Sequence, residues 1–417
     1  MKPVLLYSDI FFFVFVAALV GLFLWGRRRE DYREAARRVL SNRWAAVCLV
    51  VICLYGLTAL LDSIHYRKPV RTETGEVRTN QQDEVVYGGL RSVLDAILIH
   101  TYPGVREEKG DLNISFEKSY SAPLADRTYD QIQDSETGKW RREELQVAER
   151  VLWDLEVPFL GGKVLRLWME VPGVHLWGTD KAGGDVFYKL IKGIRTALIV
   201  GLVTTMIVIP FAIIFGVTAG YFGGKVDDVI QFIYITLGSI PSILLISAMM
   251  IIVRAKMGAA REAGTDIYFQ DDKIVLFLCA ILGLIGWSSL CRLLRGETIK
   301  IRELDYVQAA RAMGVNDLFI IGRHVVPNVI HVVLISSILR FSGLVMVEAI
   351  LAYIKIGVPS TIQSWGRVVD GAREQLGRDP MIWWPVVGAF ILMFFLVLSI
   401  NIFGDAVRDA LDPKLRE

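Results

Sequence analysis

Unbalanced charge is the first thing this chain of 417 residues lacks: 46 lysines and arginines stand against 44 aspartates and glutamates, a net of +2. That near-balance argues against a nucleic-acid partner. Cysteine is scarce as well. Cys48, Cys53, Cys279 and Cys291 all fall in apolar runs, where a thiol behaves as a small hydrophobe, so neither a disulfide framework nor a thiolate metal site is expected. The five histidines are scattered without metal-ligand spacing, and a structural role is expected of each. No Gly-x-Ser-x-Gly elbow occurs. The phosphate-loop pattern is missing too: Gly161-Gly162-Lys163 and Gly223-Gly224-Lys225 lack the upstream glycine and the following hydroxyl. Catalytic residues, metal ligands and cofactors are therefore expected to be none, and the chain itself should not hydrolyse ATP.

Apolar length is what the chain does have. Hydrophobic residues make up 53% of it, the mean hydropathy is +0.44, and about 20 apolar residues cross a bilayer core. Seven candidate spans follow: Ile10 to Gly26, Trp44 to Leu61, Thr196 to Ala219, Val229 to Val253, Ile274 to Cys291, Val329 to Ala352 and Met381 to Phe403. Positive charge orients them. Seven arginines in Arg27 to Arg43 and six Lys or Arg in Arg292 to Pro327 place those loops in the cytoplasm, against four each in Arg254 to Lys273 and Tyr353 to Pro380. The N-terminus then lies outside and the C-terminus inside. The first span is not expected to be a cleaved signal, because its basic cluster follows the apolar run and no small-residue cleavage site appears.

Between Asp62 and Lys192 lies an extramembrane block of about 130 residues, long enough for a small domain. Near its end Asp185 can cap a helix with Phe187, Leu190 and Ile191 on an apolar side and Lys189 and Lys192 more exposed. That pattern predicts an amphipathic segment at the outer interface before the chain turns inward.

The 36 residues from Arg292 to Pro327 are unusually ordered for a connection between spans. Helix formers run from about Arg302 to Met313, with Ile301, Leu304, Val307 and Ala310 at helical spacing. Gly314 can end that helix, Asn316 can cap the next, Leu318, Ile321 and Val325 line one face of it, and Pro327 restarts the chain toward the membrane. By pattern alone this is either a surface-lying amphipathic loop or a segment held by another protein.

Gln308-Ala309-Ala310-Arg311-Ala312-Met313-Gly314, followed by Arg323-His324-Val325-Val326-Pro327-Asn328, resembles the cytoplasmic coupling loop of binding-protein-dependent ABC importer permeases. Ala310, Gly314 and Pro327 fall at that loop's spacings, whereas Gln308 stands where a glutamate is usual, which removes a charge but keeps hydrogen-bonding reach. The stretch from His175 to Val186, with Gly178, Thr179, Asp180 and Asp185, is similar to the segment preceding the core bundle of the dipeptide/oligopeptide/nickel permeases, second-permease type. Ala219 to Asp227, Ser364-Trp365-Gly366 and the tail Gly404 to Arg416 fit the same family. Gly183-Gly184-Asp185 replaces its usual Gly-Arg-Asp, a form associated with the microcin/peptide branch. The resemblance covers about Leu40 to Leu61 and His175 to Arg416.

It implies an all-α polytopic membrane protein of the bacterial inner membrane: a type I ABC importer transmembrane domain of about seven spans with a mixed extramembrane insert. The expected organisation is 1–43 an extra N-terminal span and basic loop, 44–62 a transmembrane helix, 63–192 the insert, 193–404 the core permease with its coupling loop at 292–327, and 405–417 a cytoplasmic tail. Gln308, Ala309, Ala310, Gly314, His324 and Pro327 would form the ATPase-coupling loop. The implied partners are a second permease subunit, one or two ABC ATPase subunits, an extracytoplasmic solute-binding protein and membrane lipid. The implied cargo is peptides or similar solutes.

Intramembrane charges usually face a cavity or a partner. Arg340 and Glu348, eight residues apart, are therefore candidates for the translocation path. A structural ion pair or a hydrogen bond to backbone carbonyls is the other reading. Pro210, Gly238 and Pro241 are candidate bending points or packing features. An ion-coupled secondary transporter would need more embedded carboxylates than Glu348 and a repeat, neither of which is seen; a membrane scaffold would not need the coupling segment.

Overall fold

Lipid offers the backbone no hydrogen-bond partner, so apolar runs of this length satisfy themselves as helices. The computed structural model describes residues 2–26, 30–70, 85–102, 104–108, 111–114, 120–124, 127–133, 140–146, 151–159, 163–171, 175–262, 266–377 and 381–411. The tail motif from Asp412 onward and Arg27 to Arg29 lie outside the described residues.

Strand β1 (Lys2–Val4) leads into α1 (Tyr7–Gly26), α2 (Glu30–Ser41) and α3 (Arg43–Ser63). In the insert follow β2 (His65–Arg67), β3 (Arg91–Ser92) and α4 (Val93–Thr101). Three antiparallel hairpins come next: β4 (Arg106–Glu108) with β5 (Asp111–Asn113), β6 (Arg127–Gln133) with β7 (Trp140–Gln146), and β8 (Val151–Phe159) with β9 (Lys163–Val171). β1 pairs with β2, Pro3 opposite Tyr66, and β2 with β3, so the N-terminus is woven into the insert.

The bundle proper consists of α5 (Val186–Phe222), α6 (Gly224–Ser239), α7 (Ser242–Glu262), α8 (Ile267–Arg302), α9 (Asp305–Ala312), α10 (Asp317–Ile320), α11 (Val326–Tyr353), α12 (Trp365–Arg373) and α13 (Trp384–Leu411). Among the described residues five helices are long and apolar enough to cross a membrane, or six if the bent pair α6–α7 is one span. The seven-span expectation is thus approximate, for two reasons. Val229 to Val253 is not one helix: α6 and α7 meet at 84°, where Gly238 lies near the end of α6 and Pro241 supplies no amide hydrogen to continue it. α1 is 20 residues long and apolar along most of its length, but among the described residues its apolar part runs from Tyr7 to Ala18, which leaves it outside the count of five or six.

Two other expectations change. The segment after Asp185 does not lie along the interface and then turn. It is the first part of α5, a continuous helix of 37 residues that passes through Pro210. Lys192 is not an exposed flank residue but points inward, with its ammonium 2.5 Å from Asp62 and 3.0 Å from Asp95. Likewise the span after Lys273 does not stop at Cys291; α8 continues to Arg302 and carries the start of the 292–327 segment on a rigid rod.

One apolar core joins α5, α8, α11 and α13 in the outer half, and a second joins α5, α8 and the inner segments. Glycines bring α5 and α8 together. A Cβ on Gly220 would lie 2.7 Å from the Arg295 carbonyl oxygen, and one on Gly216 would lie 2.7 Å from that of Cys291. Backbone cannot yield as a side chain tip would. Gly220→Ala is expected to destabilise the bundle by about 1–3 kcal/mol, read as a lower thermal unfolding midpoint in detergent; an unchanged midpoint would show that the two helices are not held this closely.

Candidate functional site at the inner face

α9 is an isolated two-turn helix whose C-terminal end is closed locally, while its N-cap, Leu304, offers no side-chain cap. Val307 and Ala310 are its buried positions. Gly314 takes φ +76°, the left-handed conformation that glycine adopts without strain. Its amide donates to the Arg311 carbonyl at 3.0 Å and that of Val315 to Ala310 at 3.2 Å, which closes the helix in a Schellman turn. The Asn316 side chain then accepts from the Leu318 amide at 2.9 Å and starts α10. A π-helical turn, Ile321–Val325, carries α10 into α11. The wider turn sits just before Pro327, whose ring would crowd a regular α-helical carbonyl four residues back. α10, the π turn and α11 therefore form one rod, Asp317–Tyr353, rather than a separate second coupling helix.

Leu318 does not share the buried face expected of it. Ile320 and Val325 are buried, while Leu318 is 73% exposed and Met313 75%, with Phe319 also outward. Ala309 is exposed and Ala310 buried. Gln308 uses its amide to reach back, donating to the Arg302 carbonyl and to Glu303 Oε2, each at 3.3 Å. His324 offers its carbonyl to Asn328 Nδ2 at 2.6 Å, and the same amide donates to Tyr306 Oη at 2.9 Å. The His324 ring lies 5.9 Å from that of Tyr306, so α9 is tied to the foot of α11.

The segment is braced on the bundle by residues that spacing alone does not single out. Tyr221 Oη donates to Asp317 Oδ1 at 2.7 Å. Arg302 donates to the Gly220 and Tyr221 carbonyls at 3.2 and 3.3 Å, at the C-terminal end of α5, where a cation is favoured. Arg295 grips Asp227 with two hydrogen bonds, 2.5 and 2.6 Å. The only sequence signal for these was charge and tyrosine within family motifs; their partners are 68 to 96 residues away.

At the opposite end the Gly178, Thr179, Asp180 and Asp185 motif is a folded plug rather than an open surface. Gly178 takes φ +66°. The Thr179 carbonyl accepts from Trp384 Nε1 at 2.9 Å, and its hydroxyl accepts from the Ser121 amide at 2.6 Å. Asp185 accepts from the Tyr188 amide at 2.6 Å, capping α5, and from Tyr102 at 2.5 Å, with His175 Nδ1 at 2.7 Å. Asp180 accepts from the amides of Ala182 and Gly184 at 3.0 Å and pairs with Lys189.

Beside this plug, α1, α3, α5 and α8 share a buried charge cluster that sequence reading missed. Arg195 Nη2 lies 2.6 Å from Asp9, and His65 Nδ1 lies 2.9 Å from the same carboxylate. Asp62, Asp95, Arg91, Lys192 and Arg195 line a cavity of about 460 Å³ next to it. Burial alone would raise the pKa of Asp95; the Lys192 ammonium beside it, with the Ser92 amide and the Tyr188 hydroxyl, outweighs that and holds the carboxyl below its ordinary value, so it stays ionised at neutral pH.

Arg340 and Glu348 are not brought together. Arg340 donates to the Gly286 carbonyl of α8 at 2.7 Å. Glu348 is fully buried farther along α11.

Long apolar helices, a braced and outward-facing segment at one end and a folded plug at the other define a multi-pass membrane protein. The family model for binding-protein-dependent transport system inner membrane components matches residues 212–417. Curated relatives include the oligopeptide transport system permease protein OppC of Haemophilus influenzae, 30% identical over 58% of this chain and 72% of its own length. The dipeptide permease DppC of Bacillus subtilis is 28% identical over 58% of this chain and 69% of its own. The glutathione permease GsiD of Pectobacterium atrosepticum is 30% identical over 58% and 73%. Among solved structures, the inward-facing MetNI methionine ABC transporter is similar at TM-score 0.40 and 18% identity, over 54% of this chain and 98% of that one. This chain belongs to the family of inner-membrane permease components of binding-protein-dependent ABC transport systems.

Proposed function

We propose that this chain is one of two permease subunits of an ATP-driven importer that moves peptides or peptide-like solutes into the cell. In this reading it supplies half of the translocation path, hydrolyses nothing itself, and passes on the motion of a separate ATPase. One observation carries the proposal: Met313, Leu318 and Phe319 are exposed on a segment braced by Tyr221, Arg302 and Arg295. Exposed apolar side chains on a rigid mount fit insertion into a groove on another protein. The cargo class rests on the oligopeptide, dipeptide and glutathione permeases it resembles. A solute-binding protein would deliver the cargo at the outer face.

The test is purification from native membranes in mild detergent. A phosphate-loop ATPase and a second permease should copurify, and reconstituted uptake should follow ATP rather than an ion gradient. If no ATPase accompanies the chain, or if uptake follows the gradient, the reading fails.

Within this reading Arg340 lies on the path, its guanidinium held ready by the Gly286 carbonyl. Arg340→Leu is expected to cut uptake about tenfold or more while the complex still assembles. If both Arg340→Leu and Arg340→Ala leave uptake intact, the residue is a helix clamp only.

A further inference from the structure

The added N-terminal part of the chain carries an unpartnered surface that the proposed importer function does not use. α2 packs one side inward: Val39 is buried with Ala45, Ala406 and Ala410, against Phe403 and Val407 near the end of α13. This sets α2 at the inner end of the bundle, because the start of α13 is held by Thr179 in the outer plug. Arg33, Arg37 and Leu40 follow at intervals of four and three residues, so they form a single stripe on the side of α2 turned away from Val39. Just beyond the elbow at Asn42, whose side chain caps α3 by accepting from the Trp44 amide at 3.1 Å, come Arg43 and Trp44.

All five of these side chains are exposed: Leu40 is 56% accessible and Trp44 73%, and Arg33, Arg37 and Arg43 are open as well. None of the three arginines forms an ion pair with a described residue. Glu34 lies three residues before Arg37 and four before Arg38 and forms no ion pair with either among the described residues, and Arg38 stands on the other flank of the helix. A leucine and a tryptophan at the membrane boundary, beside three uncommitted guanidinium groups, meet the requirements of an interfacial anchor on the negatively charged inner leaflet.

We infer that the α2–α3 elbow is a binding surface for anionic phospholipid, with Arg33, Arg37 and Arg43 holding headgroup phosphates and Leu40 and Trp44 seated among the acyl chains. The lipid, not free phosphate, is the occupant, because the exposed leucine and tryptophan continue directly from the lipid-facing surface of α3, where Val47, Val50 and Leu54 are also exposed. The surface ties the N-terminal helices to the inner leaflet on the side of the membrane where the 292–327 segment lies.

The experiment uses the full-length chain, released from membranes and examined by native mass spectrometry with added phosphatidylglycerol or phosphatidylcholine. Arg37→Gln should weaken phosphatidylglycerol retention about fivefold, and adding Arg33→Gln and Arg43→Gln should weaken it further by a similar factor each. Phosphatidylcholine retention should not change. Lysine at all three positions should keep most of the binding, and Arg38→Gln, on the other flank, should leave it as it was. Leu40→Ala with Trp44→Ala should weaken it too. The single Arg37→Gln variant leaves the remaining arginines to hold the topology, so a folding failure of the triple variant does not blunt the test. The inference is overturned if Arg38→Gln weakens binding as much as Arg37→Gln, if the glutamine variants bind as wild type does, or if inorganic phosphate alone displaces the lipid.

Discussion

Gly314→Pro should leave an assembled bundle whose ATP hydrolysis no longer drives uptake, with transport down at least about a hundredfold. Proline fixes φ near −65°, whereas Gly314 stands at +76°. The substitution also removes the amide that donates to the Arg311 carbonyl at 3.0 Å. Both bonds of the turn that ends α9 would go, and with them the set angle between α9 and the rod from Asp317 to Tyr353. A Cβ at this position meets nothing within 4 Å, so the damage is conformational rather than steric. Gly314→Ala is a graded control: it keeps the amide but strains the left-handed backbone by about 1–2 kcal/mol, and uptake should fall less. Measuring ATPase rate and uptake together in the reconstituted complex decides the matter. Proline behaving as wild type would remove the 292–327 segment from coupling.

Arg195→Leu should be the most destabilising single change at the outer end. Its guanidinium bonds Asp9 at 2.6 Å and the hydroxyls of Ser8 and Ser63 at 3.0 and 3.3 Å. The amide of Ser8 in turn donates to Asp272 at 2.9 Å. Four elements meet there, and Asp9 is fully buried. Removing the cation leaves a buried carboxylate with only the His65 ring and the Leu6 amide as hydrogen-bond partners, a loss of about 3–5 kcal/mol. The double change Asp9→Asn with Arg195→Leu should recover a large part of that loss, since it removes the stranded charge. Thermal unfolding in detergent reads both. If the double variant is no more stable than the single one, Asp9 is not the group that Arg195 neutralises.

Local signals were legible wherever the chemistry is local. Asp185, Asn316 and Gly314 cap or end helices as their side chains, or the lack of one, dictate. Pro241 marks a break because it has no amide hydrogen to give. Leu318 shows where such reasoning stops. Helical periodicity marks an apolar stripe but does not say whether that stripe meets the protein's own core or another surface, and here the burial went to Ile320 while Leu318 stayed outside. Lys192 shows the converse. Its charge suggested solvent, but two aspartates 130 and 97 residues away form a buried seat for it.

By itself, then, the sequence determined that this chain crosses a membrane and where its ordered 292–327 segment lies. Those properties follow from runs of apolar residues and from turn residues, all of them contiguous along the chain. Tertiary structure alone decided the Arg195–Asp9–His65 cluster, the Tyr221–Asp317 brace and the separation of Arg340 from Glu348. Each depends on which helices become neighbours, and that is set by the packing of whole faces, such as Gly216 and Gly220 of α5 lying directly on the backbone of α8.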